Sequence, residues 1–188
     1  MRSFSGSAFC DAEVTFTPFT YMPPPRTKCL HSALVAIPRW DKILSILSNL
    51  ADKTFLQIEL GLQTTNEKTA KYIRRGFLNE CYFEAVQKLK KANPKIHIVT
   101  HVIFGLPGDS ENDMLKTVKD VICAKSDGIK IALLHVLEGT DLAIDYKNNA
   151  FSCLEMEEYF KILGKALKII PKDVVIHRLT GDGPKKIL

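Results

Sequence analysis

The polar residues with reach enough for chemistry fall into four short runs. Gly61–Gly76 (GLQTTNEKTAKYIRRG) holds Gln63 and, twelve positions on, Arg75. An amide and a guanidinium so placed can bracket a ligand that carries hydroxyl and carboxylate groups. The alternative is a solvated arginine pair at a helix C-terminus, favoured by the helix dipole. Gly105–Asp109 (GLPGD) puts two glycines and a proline in a turn, where backbone can approach a ligand closely. A helix N-terminus just after it would offer unpaired N–H groups. A plain tight turn has the same composition. His135, Glu138 and Thr140 form a third run, and His177, Arg178 and Asp182 a fourth. These can contact a substrate or merely fix their loops by hydrogen bonds. No residue declares itself as a nucleophile or general base.

The five cysteines, Cys10, Cys29, Cys81, Cys123 and Cys153, are odd in number and widely spaced. That excludes a disulfide framework and a CxxC metal knuckle. Buried small hydrophobes are the expectation for most of them, and no metal ligand is assigned.

Positioning these runs requires strands that deliver them and helices that carry the chain back. Residues 1–32 lack periodicity and contain Pro23-Pro24-Pro25, so they read as an irregular arm. Residues 33–188 read as one domain. Ala33–Ile37 is a short buried strand. Trp40–Leu50 has helical spacing. Phe55–Leu62 is strand-like, and Asn66–Arg75 is a short helix with Asn66 as its N-cap. Asn79–Ala92 is a helix stopped by Asn93-Pro94. Ile96–Phe104 is a strand rich in β-branched residues. Ser110 caps the next helix, with Asp113 three residues on and an apolar stripe of Met114, Leu115, Val118, Val121 and Ile122. Gly128–Leu137 is a strand. Ser152 with Glu155 opens the last helix, whose buried side is Tyr159, Phe160, Leu163 and Leu167. Val174–Arg178 is the last strand.

Alternating strands and helices define an α/β fold of parallel βαβ units. Ligands in such folds bind at the carboxyl ends of the strands. That rule selects Gly61–Thr65, Gly105–Asp109, His135–Thr140 and Leu179–Gly183.

The net charge of +5 and a pI near 8.9 suit a solvated surface with a lysine excess, and permit an anionic ligand or RNA. No aromatic-plus-basic RNA module is present. No apolar run is long enough to span a membrane, and the N-terminus does not read as a signal peptide, so the cytoplasm is the expected location.

Five segments in order resemble one family. They are ELGLQT (Glu59–Thr64), RRG (Arg74–Gly76), HVIFGLPGD (His101–Asp109), GIKIALLHVLEGTDLA (Gly128–Ala143) and VVIHRLTGD (Val174–Asp182). Together they are similar to the YhcC/YtqA type of radical S-adenosylmethionine (SAM) protein, related to the Elongator catalytic subunit and the oxygen-independent coproporphyrinogen oxidases. The resemblance runs from about Leu50 to Asp182, roughly 70% of the chain. It implies part of a (βα) TIM-like barrel of parallel strands. It implies SAM and a [4Fe–4S] cluster that together yield a 5′-deoxyadenosyl radical, the protein supplying binding, orientation and exclusion of water. By position, Gln63 and Arg75 would contact SAM, His101 would sit on its ribose side, and Ile103 and Gly105 would line the adenine. His135, Glu138, Thr140, His177, Arg178 and Asp182 would face the substrate, whose identity stays open.

The printed sequence departs from that family in one respect. Three thiolates in a CxxxCxxC loop should hold the cluster, and no such run occurs. Only 60 residues precede Gly61, so the first barrel strands are expected to be missing or degenerate. A fragment or mispredicted product, a pseudoenzyme that binds SAM or a nucleotide without catalysis, and completion by another chain are the three explanations. An open barrel edge would favour self-association. An unrelated TIM-barrel lyase that grips phosphate with GLPGD is the remaining alternative. It lacks a lysine at a strand end, because Lys130 lies mid-strand.

Overall fold

The computed structural model describes residues 40–180. Its elements are α1 (Trp40–Lys53), β1 (Gln57–Gln63), α2 (Glu67–Tyr72), α3 (Asn79–Ala92), β2 (His97–Phe104), α4 (Glu111–Cys123), β3 (Gly128–Leu133), α5 (Asp141–Lys147), α6 (Met156–Ile169) and β4 (Val175–Arg178). The expected arm at 1–32, the strand at Ala33–Ile37 and Asp182 lie outside the described residues.

The four strands form one parallel sheet in the order β1-β2-β3-β4. Strand periodicity then sorts the side chains onto two faces. Ile58, Leu60 and Leu62 of β1, Ile98, Val102 and Phe104 of β2, and Ile129 and Ile131 of β3 share one core. The same core takes in Tyr82, Val86 and Leu89 of α3, Met114, Val118 and Val121 of α4, and Tyr159, Ile162, Leu163 and Ala166 of α6. Burial of each large apolar side chain there stabilises by about 1.5–3 kcal/mol. A polar knot in this layer is satisfied. Thr100 Oγ1 is 2.8 Å from both the Tyr82 hydroxyl and Ser126 Oγ, and Ser126 donates to the Ile98 carbonyl.

Capping sets where the helices start. The Asn66 side chain accepts from the Lys68 amide, and Ser110 with Asp113 forms a reciprocal capping box on α4. Three expectations need correction. The strand predicted over Gly128–Leu137 ends at Leu133. Its partner β2 ends at Phe104, and Gly105 (φ +84°) turns the chain away, so pairing stops after the Leu134 amide donates to the Phe104 carbonyl. The last helix opens at Glu155 with Glu158, rather than at Ser152 with Glu155. Its buried stripe is Tyr159, Ile162, Leu163 and Ala166, while Phe160 is 59% exposed and Leu167 is also exposed. The helix α5, capped by Thr140, was not predicted.

Candidate functional site

The second face of the sheet carries polar residues beside Val99 and Ile103. Gln57, Glu59 and Gln63 alternate with the core residues of β1, His97 and His101 with those of β2, and Lys130 with those of β3. At its centre stands Glu59, a carboxylate whose side chain is only 5% exposed. Lys130 Nζ donates to both of its oxygens at 2.6 Å. His101 Nε2 lies 2.7 Å from Oε2, and the Gln57 amide donates to Oε1 at 2.8 Å. Burial pushes the Glu59 carboxyl up, but the hydrogen bonds from His101 and Lys130 and the lysine charge overrule it and hold it down to about 2. An ionised carboxylate only accepts, so His101 Nε2 carries the proton. This contact fixes the orientation of the His101 ring. The side chain is about one-third exposed.

Above this triad lie the strand ends. Gln63 is buried, has φ +62°, and lies where the β1–β2 register slips. Ile103 lies near the end of β2 and Gly105 just beyond it, both half-buried. A Cβ on Gly105 would come within 3.1 Å of Leu154, so the glycine serves close packing as well as its left-handed backbone.

Arg75 is turned into the protein. Its side chain is fully buried. Nη1 donates to the Leu62 and Thr64 carbonyls (3.1 and 2.7 Å) and to Asn79 Oδ1 (2.9 Å), and Nε donates to the Phe77 carbonyl. The guanidinium also covers the Phe77 ring at 4.5 Å. These bonds are spent within the protein, so Arg75 fastens the chain leaving β1.

The GLPGD turn packs on the loop after β1. Asn66 Nδ2 donates to the Gly108 carbonyl, and the Asp109 carboxylate is sealed beside Thr64, Asn66 and Thr69. Burial raises its pKa against the pull of those groups, and neither oxygen meets a partner with good hydrogen-bond geometry. At the N-terminus of α4, the Asp113 carboxylate already accepts from the amide and hydroxyl of the N-cap Ser110. That negative charge disfavours the phosphate-gripping lyase reading.

The expected substrate side is dispersed. His135 is half-buried. Glu138 is exposed and 4.0 Å from Lys147. Thr140 is the N-cap of α5, its hydroxyl donating to the Leu137 carbonyl. Arg178 is exposed and in register with Lys130. His177 is displaced from the strand ends. It stands over Gly128, where β3 begins, and faces His97. The reason is register: β4 pairs with the first half of β3.

Glu59, Lys130 and His97 were not singled out from sequence. Their signal was present, since a charged residue at alternate positions in an apolar strand marks the face turned from the core.

A one-sided parallel sheet with charged groups on its inner face is a segment of (βα) barrel wall. Residues 30–121 match the model of the Radical SAM superfamily, and residues 126–188 that of the Radical_SAM C-terminal domain. The chain belongs to the radical SAM superfamily. It is 38% identical over 148 residues to YtqA of Bacillus subtilis, covering 79% of this chain and 45% of that protein. It is 30% identical over 149 residues to YhcC of Escherichia coli, covering 79% and 48%. A tRNA uridine(34) acetyltransferase of Methanocaldococcus jannaschii is 32% identical over 135 residues, 70% of this chain and 25% of that one. Among solved structures, Elp3 of Methanocaldococcus infernus superposes with a TM-score of 0.67 at 28% identity, covering 75% of this chain and 34% of that one. Coproporphyrinogen III oxidase of Escherichia coli gives 0.52 at 20% identity, over 66% and 28%, and supports the fold alone. The chain thus spans about half the length of YtqA and YhcC.

Two groups implied by the family can be tested against the residues present. SAM fits the donor set: a histidine nitrogen, a glutamine amide at a strand end, and an apolar Ile103 beside Gly105 suit hydroxyls and a base. The described residues alone offer no holder for the cluster. Cys81, Cys123 and Cys153 are free, and among the described residues no three His, Cys, Asp or Glu side chains converge. Nor is any helix among them long and apolar enough to cross a membrane.

Proposed function

We propose that this chain is the SAM-facing wall of a radical SAM protein. In this reading Gln63, His101, Ile103 and Gly105 hold the adenosyl part of SAM against the sheet. The observation that carries it is the Glu59–Lys130–His101 network, which fixes a histidine on the inner face below the strand ends. Bound SAM would supply a hydrogen-abstracting organic radical once a cluster reduces it. The chain's own residues bind and orient: Glu59 holds the proton on His101 Nε2, and Arg75 keeps the β1 exit in place. His135, Glu138 and Arg178 would lie toward a substrate. Relatives named for tRNA chemistry, with the net charge of +5, favour RNA as the substrate class. The same reading takes residues 1–32 as an arm, 33–188 as barrel segment, the cytoplasm as location, and the outer edges of β1 and β4 as sites of self-association.

Equilibrium dialysis against SAM tests it. Saturable binding, weakened about tenfold by His101→Ala, is expected. No binding, or binding indifferent to His101→Ala and Gln63→Ala, overturns it.

A second reading is a SAM-binding half-barrel without catalysis, favoured by the lack of converging thiolates among the described residues. Anaerobic iron and sulfide reconstitution separates the two. Bound iron with a band near 400 nm supports the radical enzyme, and colourless protein that still binds SAM supports the binding module.

A further inference from the structure

Two imidazoles meet at the opposite end of the polar face, about 26 Å along β2 from Gly105 by strand rise. His97 Nε2 and His177 Nε2 are 3.3 Å apart. They belong to β2 and β4, with β3 between them. His177 reaches across because position 128 is glycine: a Cβ there would lie 2.6 Å from the His177 ring. Any other residue at 128 would push the two rings apart.

We propose that His97 and His177 form a two-imidazole site for a borderline divalent cation of the zinc or nickel class. Imidazole nitrogens suit such metals. Zinc–nitrogen bonds of 2.0–2.1 Å at a tetrahedral angle place two nitrogens about 3.3 Å apart and their ring centroids about 5.2 Å apart. The rings here have centroids 5.5 Å apart and planes at 58°. Both nitrogens must be unprotonated to ligate, so a bound cation replaces the hydrogen bond between them, and its proton passes to Nδ1 of the same ring or to solvent. The charged groups around the pair are Lys90 and Asp127 beside His97, and His101, Lys130 and Glu59 beside His177. Lys90 is held by both oxygens of Asp127, and Lys130 by both of Glu59, so neither ammonium confronts the site uncompensated. Among the described residues no third side chain completes the set, which leaves the other coordination positions to solvent. The pair is half-exposed and open to an ion from solution. A bound cation would clip the exposed edge strand β4 to β2.

The test is titration of the full chain with zinc sulfate by calorimetry. One ion per chain is expected. His97→Asn and His177→Asn should each bind at least about a hundredfold more weakly, because the second imidazole of a chelate binds intramolecularly. Gly128→Ala keeps both imidazoles and should also lose the ion. In the unaltered protein, side-chain nitrogen NMR should show zinc shifting Nε2 of His97 and His177 and leaving His101 in place. No binding at about 1 mM zinc, equal binding in all three variants, or shifts confined to other residues would overturn the proposal.

Discussion

Lys130 Nζ lies 2.6 Å from each carboxylate oxygen of Glu59, a residue 71 positions earlier in the chain. The contact spans two strands and, with His101, links β1, β2 and β3 through side chains as well as backbone. Breaking one partner of such a buried group costs more than the pair contributes, since the remaining charge is stranded.

Lys130→Met should therefore destabilise more than Glu59→Gln. The first leaves a nearly buried carboxylate with His101 and Gln57 alone. The second leaves an ammonium that can still reach water, its side chain being 23% exposed. Urea unfolding should show losses of about 3 kcal/mol and about 1 kcal/mol respectively. The reverse order would show that the carboxylate is better solvated than its burial implies.

Acid should act through the same group. Glu59 has a folded-state pKa near 2, below its ordinary value of 4.5. A depressed carboxylate contributes stability that is complete above its unfolded pKa and is lost as pH falls from about 4.5 toward 2. Thermal unfolding from pH 6 to pH 2.5 should show this limb, and Glu59→Gln should flatten it.

Arg75→Ala should cost about 3 kcal/mol or more, because the Leu62, Thr64 and Phe77 carbonyls lose a charged donor. Arg75→Lys should recover only part of this, since one ammonium cannot repeat the fork. If Arg75→Ala instead kept its urea midpoint and lost only SAM binding, the arginine would be a ligand after all.

Gly105→Ala should lower stability by about 1–3 kcal/mol through its left-handed backbone, with the Leu154 contact adding to the loss. The unfolding midpoint reads this directly.

The sequence showed most of the frame and little of the site. Asn79–Ala92 was legible because Tyr82, Val86 and Leu89 share one stripe and Asn93-Pro94 stops it. The Gly128 strand was read too long because LLHVL remains apolar after its partner has turned away. The helix α5 was missed because seven residues with one buried side chain, Ala143, give almost no periodicity. The inward course of Arg75 was not legible because a basic residue at a helix end does not reveal which way it folds. His177 was put at the strand ends because register is a tertiary property, set here by the late start of β4 and its slip beside Lys130.

Gly128 and Lys130 flank Ile129, whose side chain belongs to the core. If β3 slid by one residue against β2, Lys130 would be driven among the aliphatics of that core and Ile129 out beside Glu59. The charge network thus acts as a key to the alignment of three strands: one offset lets the sheet close, and its neighbours strand an ammonium in oil.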